Sequence, residues 1–363
     1  MQAGGAILRE IPGDSAPGRK EIGKIMRKAL FGVVTGVLAV ALTACSAPEP
    51  LDYSWTPERQ INIIVPWAAG GATDQVIRRA AAEIEDALRR SVIVVNTPGG
   101  SGSIGTAEAL EAPADGYTWT SGSASALGIY PVLGMLDTSL DDWHLFLAVA
   151  NIPVISVHPD SEYEDFGDLL DDLRERPGQV RVATAGTAST GHKVIELICQ
   201  AADTEYRHIS YDGGNPAVIS VVQGESEVTP QLASEQADMI RGGRLRPLAV
   251  FSDQAIDIDG YGEVPPVTDW LPNAHLATDY FGIWVRKGVP DEVIETMQEV
   301  WDEYIVNSER LLEYTRERGA VMTPYYGEEA RELVWQSVKA DAWILYDIGQ
   351  AEVSPETLGI PRP

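Results

Sequence analysis

Four glycine-bearing loops carry the residues of this chain best suited to chemistry, and what they offer is backbone amides that can grip an anion. The first is Trp67-Ala68-Ala69-Gly70-Gly71-Ala72-Thr73-Asp74 and the second Asn96-Thr97-Pro98-Gly99-Gly100-Ser101-Gly102-Ser103-Ile104-Gly105. Ala185-Gly186-Thr187-Ala188-Ser189-Thr190-Gly191-His192 and Tyr211-Asp212-Gly213-Gly214-Asn215-Pro216 follow further on. Glycine lets the backbone come close to a ligand, and a helix start has up to four N–H groups without intrahelical partners. A carboxylate placed there gains roughly 0.3–1 kcal/mol from each helix end. Each hydrogen bond to its charged oxygens adds about 1.5–3 kcal/mol. Amides can therefore hold an anion without an arginine. A single loop of this kind reads sooner as a tight turn without a ligand; two in register weaken that reading.

Other chemistries fit less well. Gly100-Ser101-Gly102-Ser103-Ile104-Gly105 has the spacing of a dinucleotide fingerprint, but the next strand ends Trp119-Thr120-Ser121-Gly122-Ser123, with no acid for a ribose. There is no Walker loop and no G-x-S-x-G elbow. Ser121, Ser123 and Ser125 read as hydroxyl donors or helix caps. Ser189 and His192 are one helical turn apart, as a secreted hydrolase's nucleophile and base could be, yet no acid is evident to orient the histidine. His192 reads more readily as structural. His144, His158, His192, His208 and His275 show no ligand spacing, so neither metal nor cofactor is expected.

The elements that would position these loops alternate strand and helix from Gln60 onward, the pattern of an α/β fold with parallel strands flanked by helices. Ile61–Pro66 reads as the first strand, and Ile77, Ala80, Ala81, Ile84 and Leu88 give the next segment a helical apolar face. Thr73 or Asp74 sits where its N-cap belongs. Ser91–Val95, Tyr117–Thr120 and Val180–Thr184 read as strands. Asn215 takes a cap position, with Pro216 as the first helical residue. The first two loops follow adjacent parallel strands, so their helix starts are expected to converge at the carboxyl edge of the sheet.

Composition sets the limits. The 363 residues hold 27 basic and 54 acidic side chains, a net charge of −27 that excludes nucleic acid as a partner and reads as a solvating surface. Arg27 and Lys28 precede an apolar run, Ala29–Ala41, too short for a comfortable permanent span, and Leu42-Thr43-Ala44-Cys45 closes it. That ending resembles the lipobox of bacterial lipoproteins. The resemblance implies a signal peptide over 26–44, lipid on Cys45, and a tether over 45–55. Residues 1–25 read as an upstream extension or a misassigned start. The expected location is extracytoplasmic, lipid-anchored to the cell membrane. With Cys45 lipidated no disulfide is available, and Cys199 reads as a small buried hydrophobe.

Six motifs in order resemble the receptors of tripartite tricarboxylate transporters, the Bug family of bacterial solute-binding proteins. Val65–Asp74 resembles VPfaaGGgtD, Pro98–Gly105 PGAGGNIG, and Ala114–Thr118 aDGYT; Gly186–His192, Tyr211–Gly214 and Gly243–Val250 continue the match. The resemblance implies a two-domain periplasmic-binding-protein-like fold (type II, Venus flytrap) with two crossover strands. It implies a binding protein rather than an enzyme, acting as a monomer that delivers its ligand to membrane permease subunits. A receptor for an ABC permease or a sensor kinase would have the same body. Domain 1 is expected to comprise 56–153 and 279–363, and domain 2 154–278. Carried over residue by residue, one wall would hold Ala69, Gly70, Gly71, Thr73, Asp74, Gly100, Ser101, Gly102, Ser121 and Ser123. The other would hold Thr184, Thr187, Ser189, His192 and Tyr211. Asp74 reads as a capping acid before a ligand contact, since a second anion would repel a carboxylate.

Departures from the pattern bear on the ligand. Ala72, Ala188 and Ser101 stand where glycine is usual, Asp212 where Lys or Arg is frequent, and Gln231 about where an acid is common. Cations are scarce near the loops, with Arg78 and Lys193 one turn into their helices. A trianion needs more compensation than amides supply. The expected ligand is a small mono- or dicarboxylate, with room for an amine or an apolar tail.

Overall fold

The computed structural model describes residues 53–272, 274 and 278–363. The segments read as extension and signal peptide, Cys45, the tether up to Asp52, and His275 lie outside the described residues. Tyr53–Trp55 are already part of the folded body: the Trp55 amide donates to Thr296 Oγ1 at 2.9 Å, and the Trp55 ring meets Tyr117 edge-on.

Thirteen strands form among the described residues, in chain order. They are β1 (Ile61–Val65), β2 (Val92–Asn96), β3 (Thr118–Ser123), β4 (Trp143–Asn151), β5 (Val154–Val157), β6 (Arg181–Thr184) and β7 (Arg207–Ser210). Then come β8 (Val228–Thr229), β9 (Arg246–Val250), β10 (Ile256–Ile258), β11 (Gly262–Val264), β12 (Asp279–Arg286) and β13 (Ala320–Met322). The helices are α1 (Ala72–Leu88), α2 (Ser103–Glu111), α3 (Ala126–Ile129), α4 (Phe166–Glu175) and α5 (Thr190–Ala202). They continue with α6 (Gly214–Val222), α7 (Ala233–Arg241), α8 (Asp291–Val300), α9 (Glu309–Arg318) and α10 (Gly327–Asp347).

Among the described residues these make two mixed sheets and an antiparallel β10–β11 pair. The first has the order β13-β4-β12-β3-β1-β2, with β1 parallel to both β2 and β3, and β12 antiparallel to β3 and β4. The second has the order β7-β6-β8-β5-β9, with β6 parallel to β7 and β8, and β5 antiparallel to β8 and β9. The chain leaves the first sheet after β4, builds the whole second sheet from β5 to β9, and returns through β12. These are two α/β lobes linked by two crossings.

The β-branched run Ile61-Asn62-Ile63-Ile64-Val65 suits a strand covered on both faces, and Ile61, Ile63 and Val65 are fully buried. Helix α1 lays Val76, Ile77, Ala80 and Ile84 in the same core, on the face its spacing predicts. Its N-cap differs from the expected one: it is Gly71, with extended backbone and no capping side chain, and Asp74 falls three residues later. Helix α6 also starts earlier than predicted, with Gly213 as N-cap and Pro216 in the first turn.

The C-terminal segment returns to the first sheet. Helix α8 continues as a π turn over Trp301–Ile305, and α9 and β13 follow it before α10. Trp301 is the anchor: fully buried, with its Nε1 donating to the Leu147 carbonyl at 2.7 Å and its ring tilted on Phe146. Trp335 and Trp343 pack partly buried against a neighbouring cluster. Trp301→Ala should leave a large cavity and an unpaired buried carbonyl. A loss of about 3–5 kcal/mol is expected in urea-unfolding free energy, whereas Trp335→Ala should cost visibly less.

Candidate functional site

After β1 the chain passes Pro66 and Trp67 and turns into α1. Asp74 closes this loop on itself: its carboxylate accepts from the Gly70 amide at 2.9 Å and Asn96 Nδ2 at 3.0 Å, and pairs with Arg78 at 2.8 Å. Burial pushes its carboxyl pKa up, but the Arg78, Gly70 and Asn96 bonds outweigh that and hold it below the usual carboxylate range. Asp74 is thus a bracket for the turn. Because it reaches back to Gly70, the amide of Ala72 in the first turn of α1 is left for another acceptor.

That acceptor comes from the second lobe. Glu235, in the first turn of α7, takes the Ala72 N–H on Oε1 at 3.0 Å, while its Oε2 accepts from Gln231 Nε2 at 3.0 Å. Burial raises the Glu235 pKa; the amides of Ala72 and Leu232 and the Gln231 side chain pull against that without cancelling it. A carboxylate of the protein itself therefore sits at the start of α1, in the position expected for an anion.

A cavity of about 30 Å³ remains between the lobes, enough for roughly one water. Trp67, Gly71, Ala72, Thr73, Ser123 and Phe281 line it from the first lobe, and Ser189, Thr190, Gln231 and Glu235 are among its residues from the second. The lobes also touch directly: the Ala68 amide donates to the Asp212 carbonyl at 3.2 Å, and a Cβ on Gly186 would lie 2.3 Å from Ser101 Oγ.

Of the residues proposed from sequence, Gly71, Thr73, Ser123 and Ser189 come together on this cavity. Ala69 and Gly70 are exposed on the turn beside it. Gly100, Ser101 and Gly102 are held apart, because the Trp67 ring lies against Gly102, which also faces Tyr130. The two helix starts thus do not converge on one cavity. Ser101 takes a left-handed backbone, φ 52°, a conformation that suits the glycine expected there.

Ser121 donates to the Ile64 carbonyl at 3.0 Å, and Thr184 Oγ1 contacts His208 Nε2 at 2.6 Å. Thr187 is half-buried on its loop, and Tyr211 packs against the apolar core of the second lobe. Ser189 caps α5 by accepting the His192 amide, while the His192 ring turns away to Gln350 Oε1 at 2.8 Å and Tyr206 Oη at 3.0 Å. Both ring nitrogens are engaged there, so Ser189 and His192 do not form a nucleophile–base pair.

Sequence reasoning missed Trp67, Thr190, Phe281 and, above all, Glu235. No local pattern marked Glu235: it stands in the first turn of α7, while Gln231 precedes the helix, and the two meet the first lobe only through the fold. Lys193, noted as a nearby cation, is already committed: its Nζ lies 2.6 Å from Asp341, 3.5 Å from Asp279 and 2.8 Å from Ser125 Oγ. Ser123 donates to Asp279 at 2.6 Å, and Thr190 hydrogen-bonds it too. Burial pulls the Lys193 pKa down, but Asp279 and Asp341 outweigh it and hold the ammonium charged. Among the described residues no group of three His, Cys, Asp or Glu could hold a metal, and no helix is long and apolar enough to cross a membrane.

Two α/β lobes crossed twice by the chain, with a cavity lined from both, define a binding protein of the periplasmic two-lobed class. The chain belongs to the family described as the tripartite tricarboxylate transporter family receptor, whose profile matches residues 76–328. It is 25% identical over 317 residues to BugT of Bordetella pertussis, covering 86% of this chain and 96% of that one. A Rhodopseudomonas palustris protein solved with adipate superposes with a TM-score of 0.73 at 23% identity, over 81% of this chain and 98% of that one. MatC from Rhodopseudomonas palustris, with bound malate, has the same fold at 17% identity and a TM-score of 0.73, over 80% and 99%.

The histidine cluster gives the folded body a pH limit. His192 and His208 stack with ring centroids 4.5 Å apart, and burial depresses each pKa from 6.5 to about 4. Unfolded chains take up these protons near pH 6.5 and the folded protein only near pH 4. The stability they contribute is whole above pH 6.5 and drains as pH falls toward 4. Thermal melts of His192→Gln should therefore show a shallower fall in midpoint across that window than the parent protein; an equal fall would place the titration elsewhere.

Proposed function

We propose that this chain is an extracytoplasmic receptor that captures a small mono- or dicarboxylate between its two lobes and delivers it to the permease of a tripartite tricarboxylate transporter. The lobes are 56–153 with 279–363, and 154–278. A lipid on Cys45 would hold the receptor at the membrane. The carrying observation is the hydrogen bond of the Ala72 amide to a carboxylate, that of Glu235, at the uncapped start of α1. A site that accepts one carboxylate by geometry and charge can accept another. Bound malate and adipate in proteins of the same fold support a carboxylate ligand.

Charge argues for low ligand valence. Arg78 pairs with Asp74 and Lys193 with two aspartates, and no Lys, Arg or His is among the residues lining the cavity. A trianion entering here would lose its hydration with only amides and hydroxyls in return.

Calorimetric titration against citrate, malate, adipate and matched monocarboxylates tests this reading. Binding of a mono- or dicarboxylate with none for citrate is expected; tight citrate binding alone would end it. Ala72→Pro is the sharper probe. Proline is tolerated in the first turn, and Gly71 before it is already extended, so the variant removes little besides the one N–H. Carboxylate affinity should fall about 10–150-fold, the equivalent of one charge-assisted bond.

A further inference from the structure

The wall opposite the start of α1 is built for a different charge. Glu235 rests on bare backbone: a Cβ on Gly214 would lie 2.0 Å from its Oε2, and one on Gly71 3.2 Å from its Oε1. Beside it, Gln231 is 3% exposed and its Oε1 has no hydrogen-bond partner, although its Nε2 is engaged with Glu235. A would-be Cβ on Gly191 falls 1.9 Å from that oxygen, so the carbonyl presses on the loop that lines the same cavity. One anion and one unpaired acceptor thus face the cavity together, with no cation among its lining residues. A buried acceptor without a donor is costly, and so is a carboxylate without a counter-charge.

We propose that Glu235 and Gln231 Oε1 form a receptor for an ammonium group, so that the ligand is an amino-carboxylate whose carboxylate takes the Ala72 amide in exchange for Glu235. This rests on the carboxylate reading of the start of α1. A ligand carboxylate that displaces Glu235 from Ala72 leaves the displaced charge in the same closed space, because α7 holds it there. Two carboxylates at that range repel, and a dicarboxylate brings a third. An ammonium between them removes the conflict: it has three donors, of which one can meet Glu235 and one the idle Gln231 oxygen. Ligands without the amine would have to leave both groups unsatisfied.

Matched pairs test the assignment on the purified protein: L-aspartate with succinate, L-glutamate with glutarate, and 4-aminobutyrate with butyrate. In at least one pair the amino member is expected to bind about 10-fold or more tightly than its partner, as one charge-assisted bond would give. Glu235→Gln should abolish that preference while leaving the melting curve folded and cooperative, and Gln231→Met should reduce it with Glu235 intact. Equal binding within every pair, or a preference unchanged by Glu235→Gln, overturns the ammonium assignment. If the amine-free acids bind and Ala72→Pro weakens them, that failure leaves the carboxylate reading standing. Binding of none of the six compounds overturns the ammonium assignment, and if malate and adipate also fail to bind, the carboxylate reading falls with it.

Discussion

The structure depends on one uncapped helix start. Helix α1 begins at Gly71 with no side chain over its first turn, because the nearest acid, Asp74, is drawn back to Gly70 and pinned by Asn96 and Arg78. The Ala72 amide must find an acceptor from outside its own loop. Glu235 supplies it from the other lobe, so an amide that no helix can satisfy internally becomes a bond between lobes. The same feature that makes the site able to hold an anion thereby also draws the lobes together.

A second set of bonds runs beside the first. Lys193 on α5 meets Asp341 on α10 and Asp279 at the start of β12, where the chain returns to the first sheet. Ser123, Ser125 and Thr190 supply the further hydrogen bonds that buried ions require. With Asp341, Asp279 and Ser125 Oγ about its three N–H donors, Lys193 has none to spare for a ligand. The scarcity of cations read from the loops therefore runs deeper in the folded protein than a count of lysines suggests.

Much of the architecture was legible in the sequence for local reasons. Ile61–Val65, the apolar face of α1 and the strand ending at Thr184 follow from side-chain period and β-branching, which act within a few residues. The caps of α1 and α6 fell two or three residues away from prediction, because Thr73, Asp74 and Asn215 look like caps while glycine in extended backbone does the work. Strand β13 and helix α9 were invisible as pairing partners, since β13 is only three residues long and makes sense only against β4. Within the site, Gly71, Thr73, Ser123 and Ser189 could be named from loop chemistry. Glu235 could not, because its role depends on a contact 163 residues away in sequence.

Trp67 decides how much binding the amides alone can supply. Its ring lies against Gly102 and separates the second glycine loop from the cavity that the first one lines. One helix start, contributing about 0.3–1 kcal/mol as a dipole, then acts where two were expected. Each bond to the anion adds about 1.5–3 kcal/mol, and one such bond falls well short of the roughly 8 kcal/mol that micromolar affinity represents. On the proposed reading the remainder would come from the other surfaces that line the cavity, Trp67 and Phe281 on one side and the Gln231–Glu235 face on the other. Selectivity in such a cleft is set less by the amide that every carboxylate can use than by the second-lobe groups only some ligands can satisfy.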